Sequence, residues 1–87
     1  MTLEELSRLH RLRTAGRADK AAFAEYDRLM RWIEDIPDEY TRRVFLLRFD
    51  EGLTWDAVAA RLGGGNSADG VKKTCYRYIE RDGGTFC

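Results

Sequence analysis

The chain has a single proline, a single histidine and two cysteines in 87 residues. Each scarcity removes something. Cys75 and Cys87 lie twelve positions apart with His10 far away, which is no zinc-ligand spacing. Two cysteines in such a pattern make no disulfide scaffold, so a cytoplasmic location is the expectation. Cys75, on an apolar helical face, reads as a small buried hydrophobe. No apolar run is long enough to cross a membrane. The opening stretch MTLEELSRLHRLR is charged and amphipathic, unlike a signal peptide. Charge of one sign is missing as well: 15 Lys and Arg balance 15 Asp and Glu. A net charge of zero leaves no global electrostatic footprint for a polyanion. Alternating strand rhythm, internal repeats and low-complexity tracts are absent too.

Catalytic groupings are equally scarce. No carboxylate pairs in the sequence with a histidine or a metal-ligand set, so no catalytic residue and no cofactor is assigned. The run GGGN follows a helical pattern rather than a strand, and no GK[ST] comes after it, so it is not a phosphate-binding loop. His10 lies on a charged helix and reads as a surface residue. Glu4 and Glu5 read as ordinary first-turn acids.

What is present is helical periodicity, and it predicts an all-α domain of about five helices over 1–81. Thr2 and Glu5 have capping-box spacing, and Leu3, Leu6, Leu9 and Leu12 step along the first helix, over about 3–13. Gly16 marks a break. Asp19 caps a second helix to about Ile36, with Ala22, Phe23, Tyr26, Leu29, Met30, Ile33 and Ile36 on one stripe. Trp32 lies off that stripe and reads as a core-edge residue. Pro37 ends this helix and suits the first turn of the next. Asp38 and Glu39 complement the dipole there. The third helix carries Val44, Phe45, Leu47 and Phe49 and stops at Gly52. These boundaries divide the chain into an N-terminal helix pair, 1–36, and a C-terminal unit, 37–81, followed by a flexible tail, 82–87. The leucine face of the pair is richer than a monomer needs, which points to a homodimer.

The segment Leu53–Tyr78 organises the rest. Thr54 is an N-cap, and Trp55, Val58, Ala59 and Leu62 share one helical face. Gly63 follows the last apolar residue, where a left-handed backbone is wanted, and Gly64, Gly65 and Asn66 extend the turn. Asn66 or Ser67 caps the next helix, and for Asn66 the capping role is preferred over a base contact. Val71, Cys75, Tyr78 and Ile79 form its apolar stripe, and Lys72, Lys73, Tyr76 and Arg77 lie off it. This is a helix-turn-helix pattern with a basic second helix. Gly70 stands in the first turns of that helix, at a cost of about 1 kcal/mol relative to alanine in a helix interior.

The run from Ile36 to Arg81, carried by RRVFLLRF, EGLTWDAVAARLG and SADGVKKTCYR, resembles region 4 of bacterial sigma-70 family factors. It is similar too to small sigma-region-4-like proteins of phages and mobile elements in Gram-positive bacteria. The resemblance covers about half the chain and includes nothing like the core-binding sigma region 2. It implies that the helix from Ser67 enters the major groove of double-stranded DNA, in transcription regulation. In that placement Asn66, Ser67 and Ala68 open the helix near base edges. Lys72, Lys73 and Arg77 suit phosphates, with Lys73 or Arg77 in reach of a guanine. Tyr76 packs on sugar or base, and the helix start at Thr54 holds a phosphate. Asp69 is compatible with phosphates if Lys72 or Lys73 pairs with it. Arg42, Arg43 and Arg61 are weaker backbone candidates, and Arg48 reads as an ion pair beneath Trp55. RNA polymerase is the protein partner the resemblance implies. Two further functions share this fold class: a protein-interaction adaptor and a DNA-recognition subunit of phage packaging.

Overall fold

Short-range side-chain caps mark the start of every described α-helix except the second. In the computed structural model, which describes residues 1–82, Thr2 and Glu5 close the expected capping box: the Glu5 N–H donates to Thr2 Oγ1 at 3.1 Å and the Thr2 N–H to Glu5 Oε1 at 3.1 Å. Helix α1 covers Leu3–Ser7 and α2 covers Leu9–Ala15. Asp19 caps α3, Lys20–Glu34, by accepting from the Ala21 N–H at 2.9 Å. Asp38 caps α4, Glu39–Phe45, taking both the N–H and the hydroxyl of Thr41. Thr54 caps α5, Trp55–Leu62, and Ser67 caps α6, Ala68–Arg81. The described residues are 74% helical and contain no strand.

The helix count differs from the expected five in two places. The first helix divides at Arg8, whose N–H turns back to the Glu5 carbonyl at 3.2 Å. The third continues past Phe45 as a π turn, Leu46–Asp50, in which the Glu51 N–H reaches the Leu46 carbonyl. A π turn holds one residue more than an α turn and so redirects the chain beyond it. Here it ends at Asp50, which becomes a junction. Its carboxylate accepts from the Tyr26 hydroxyl at 2.9 Å and lies 3.8 Å from the Arg13 guanidinium. Its carbonyl accepts from His10 Nδ1 at 2.9 Å. Pro37 stands before the Asp38 cap rather than in the first turn of α4. The tail expected to be flexible falls, beyond Asp82, outside the described residues, as does Cys87.

The apolar stripes meet in one cluster. Leu6, Leu9, Leu29, Ile33, Val44, Phe45, Val58, Val71, Cys75 and Ile79 are fully buried in it, and Leu62 packs at its edge. Each of the larger side chains removed from water in this way contributes about 1.5–3 kcal/mol. The leucine face that pointed to a homodimer is used up inside the chain. Leu6 and Leu9 have no exposed surface, and Leu3 and Leu12 pack on the same core. Trp32 lies at the core edge, its ring 5.6 Å from both Phe45 and Tyr78. Helix α6 packs against both α4 and α5, so its remaining face points outward.

Candidate functional site

The α5–α6 connection is built on three consecutive glycines with positive φ: Gly63 at 66°, Gly64 at 61° and Gly65 at 81°. Side chains with a Cβ are strained in that region. Asn66 closes the turn. Its amide nitrogen donates to the Gly63 carbonyl, and its amide oxygen accepts from the Tyr40 hydroxyl at 2.8 Å. Asn66 is therefore a clasp between turn and α4, not the helix cap, and both ends of its amide are engaged. The cap is Ser67, whose Oγ accepts from the Gly70 N–H at 3.0 Å. A Cβ on Gly70 would sit 3.1 Å from that oxygen, so the glycine gives the capping hydroxyl room. Gly70 lies in the first turn of α6, where its backbone freedom costs less than in the middle.

The outward face of α6 carries Asp69, Lys72, Lys73, Arg77, Glu80 and Arg81, all exposed. Val71, Cys75 and Ile79 lie on the buried side. Burial pushes the Cys75 thiol up to about 12, so it stays protonated and unreactive at neutral pH. Asp69 pairs with Lys73 at 3.0 Å, one helical turn apart. Lys72 lies 5.7 Å from the centre of the Tyr76 ring, a cation–π arrangement. Arg77 makes no ion pair among the described residues. It borders a shallow groove with Thr41, Thr74, Tyr78 and Arg81. Asp82 is turned to the α-ammonium of Met1, 3.4 Å away.

No family model, curated protein or solved structure matches this chain.

Of the eight positions singled out in the sequence, Ser67, Ala68, Lys72, Lys73, Tyr76 and Arg77 lie along α6 or at its start. Thr54 is at the start of α5, with its hydroxyl accepting from the Ala57 N–H, and the ring of the next residue, Trp55, lies 6.2 Å from that of Tyr76 on α6. Asn66 is occupied in the turn. Two of the weaker arginine candidates are held within the chain. Arg42 donates to the Ile36 carbonyl at 2.8 Å, and Arg61 pairs with Glu51 at 3.5 Å. Arg43 is exposed. The expected ion pair of Arg48 is instead a stack: its guanidinium lies 4.6 Å from the Trp55 ring centre and donates to the Leu53 carbonyl at 2.8 Å. Sequence reasoning did not single out Tyr40, whose hydroxyl orients Asn66; an exposed tyrosine in a first helical turn carries no such signal.

Among the described residues no group of three or more His, Cys, Asp or Glu side chains is placed to hold a metal ion. No described helix is long and apolar enough to cross a membrane. What the α6 surface offers is donors: two ammonium groups and two guanidiniums on one convex helix, with one of the four cations neutralised at short range.

Proposed function

We propose that α5, the glycine turn and α6 form a helix-turn-helix unit that binds double-stranded DNA with α6 in the major groove. The observation that carries this reading is the outward face of α6. Arg77 stands there without an acidic partner among the described residues, between Lys73 and Arg81. A lone α-helix fits the major groove, and cations on its flanks hold phosphates. Lys72 and Lys73 are assigned to phosphates, Arg77 to a phosphate or a guanine edge, and Tyr76 to sugar or base. Ser67 retains a hydroxyl proton to donate while its oxygen caps the helix. Ala68 lines the approach, and the α5 start at Thr54 faces a phosphate. Asn66 supports the turn and is withdrawn as a base reader. In this reading the chain regulates transcription in a phage or mobile-element setting in the cytoplasm, with RNA polymerase as a protein partner.

One observation favours a second reading. Asp69 already compensates Lys73, and the chain as a whole is neutral. A face balanced in this way also suits docking on protein, as an adaptor. Selection from random double-stranded DNA, followed by footprinting, separates the two. Enrichment of one sequence, with protection lost in Arg77→Ala, supports the DNA reading. Failure to retain any DNA at low salt removes it and leaves the adaptor.

A further inference from the structure

We propose that the notch between α2 and the π turn is a binding site for a phosphate group, with Arg11 and Arg48 as its cationic walls. Ser7, His10, Phe49 and Gly52 complete a cavity of about 270 Å³. No carboxylate lines it. The acids next to it in sequence are engaged elsewhere: Asp50 with Tyr26 and Arg13, and Glu51 with Arg61.

Two of the polar walls are already held in place. Stacking on Trp55 and the bond to the Leu53 carbonyl hold the Arg48 guanidinium. A guanidinium has five N–H donors in a planar fork, so that one bond leaves others for an oxyanion. His10 Nδ1 must carry the proton it shares with Asp50, because a carbonyl only accepts. The imidazole lies against Gly52, where an added Cβ would come within 2.9 Å of the ring. Ser7 gives its hydroxyl proton to the Glu4 carbonyl at 2.7 Å and contributes wall rather than donor. Arg11 is exposed, free of ion pairs among the described residues, and able to close over a ligand. Holding groups in their bound geometry beforehand lowers the entropy cost of binding.

The notch is also joined to α6. Arg48 stacks on Trp55, Trp55 meets the Tyr76 ring edge-on at 6.2 Å, and Lys72 lies against Tyr76. Two rings in edge-on contact, with a cation at each end, thus link Lys72 to the notch. A phosphate has two sources in this setting: the backbone of DNA held by α6, an arm that rests on the proposed function, or free phosphate.

The test uses the full chain labelled with nitrogen-15, wild type and Arg11→Ala. Inorganic phosphate is titrated against chloride at matched ionic strength, and the salt dependence of DNA binding is measured for both proteins. Saturable, phosphate-specific shifts at Arg11 and Gly52, absent from Arg11→Ala, support the notch. If Arg11→Ala also reduces the slope of log K against log salt by about 0.9, the ligand is a backbone phosphate. That slope change alone supports the same assignment. Saturable shifts with an unchanged slope, or with no DNA binding by wild type, assign the site to free phosphate. If phosphate behaves like chloride and Arg11→Ala leaves the slope unchanged, or wild type binds no DNA, the proposal is overturned. The DNA reading survives that result whenever wild type still binds.

Discussion

Replacing Gly52 with alanine tests how the N-terminal helices are held to the rest of the fold. Gly52 has φ at +72°, a region that costs an L-residue about 1–2 kcal/mol. A second cost comes from position. The new Cβ would sit 2.9 Å from His10 Cγ and 3.0 Å from both Cδ2 and Nδ1, so the ring must move. Moving it breaks the His10–Asp50 bond, and an exposed hydrogen bond of this kind contributes about 0.5–1 kcal/mol. The expected loss for Gly52→Ala is therefore about 2 kcal/mol. Gly64→Ala is the natural control: its φ is +61°, and a Cβ there meets nothing within 4 Å. It should show the backbone cost alone. In a His10→Ala background, Gly52→Ala should fall to that same lower value. Urea unfolding followed by Trp32 and Trp55 fluorescence, extrapolated linearly to water, measures all of these. If Gly52→Ala costs the same with and without His10, within about 0.3 kcal/mol, the two residues are not coupled and the reasoning fails.

Thr54→Ala should destabilise the fold by about 1 kcal/mol, because the hydroxyl satisfies the Ala57 N–H at the start of α5; an unmoved melting temperature would count against that cap. Arg28 should account for part of the acid sensitivity. Its hydrogen bonds hold the Glu5 and Glu25 carboxyls below their ordinary value of 4.5. The folded chain then binds fewer protons than the unfolded one in that range, so this stabilisation is present above 4.5 and is lost as pH falls through the depressed values. Unfolding curves from pH 6 to about 3 should show a shallower decline for Arg28→Ala than for wild type; parallel curves would refute the assignment. Asp69→Asn should free Lys73 and raise DNA affinity, with a gain that shrinks as salt rises. Equal binding by both proteins at low salt would show that Lys73 does not face the DNA.

The fold was largely legible because its signals are local. Thr2, Asp19 and Thr54 each cap the helix their spacing predicted, and the apolar stripes of α5 and α6 reach the core, as does that of α3 from Tyr26 onward, while Phe23 in its first turn is exposed. What escaped depends on contacts between distant parts of the chain. The Leu3–Leu12 face looked surplus because nothing local shows that Leu6 and Leu9 are buried against the remaining helices. Asn66 and Ser67 are both good caps by type; a hydroxyl on Tyr40, 26 positions away, engages the first and leaves the role to the second. The π turn and the Arg48–Trp55 stack likewise have no mark in the residues alone. At the site, residue types and helical phase were readable. The Asp69–Lys73 pairing was readable as one of two options, since i+3 and i+4 are both in reach.

The central claim is that the outward face of α6 holds DNA through Lys72 and Arg77. The most direct measurement is DNA affinity against salt concentration for wild type, Lys72→Ala and Arg77→Ala, on a selected site and on random sequence. Wild type should weaken steeply with salt. Lys72→Ala should lose affinity equally for both DNAs, with its slope reduced by about 0.9. Arg77→Ala should show the same slope change or, if it reads a base, a cost of about 1–3 kcal/mol on the selected site alone. Slopes identical to wild type in both variants, or no binding by wild type at the lowest salt, would contradict the claim.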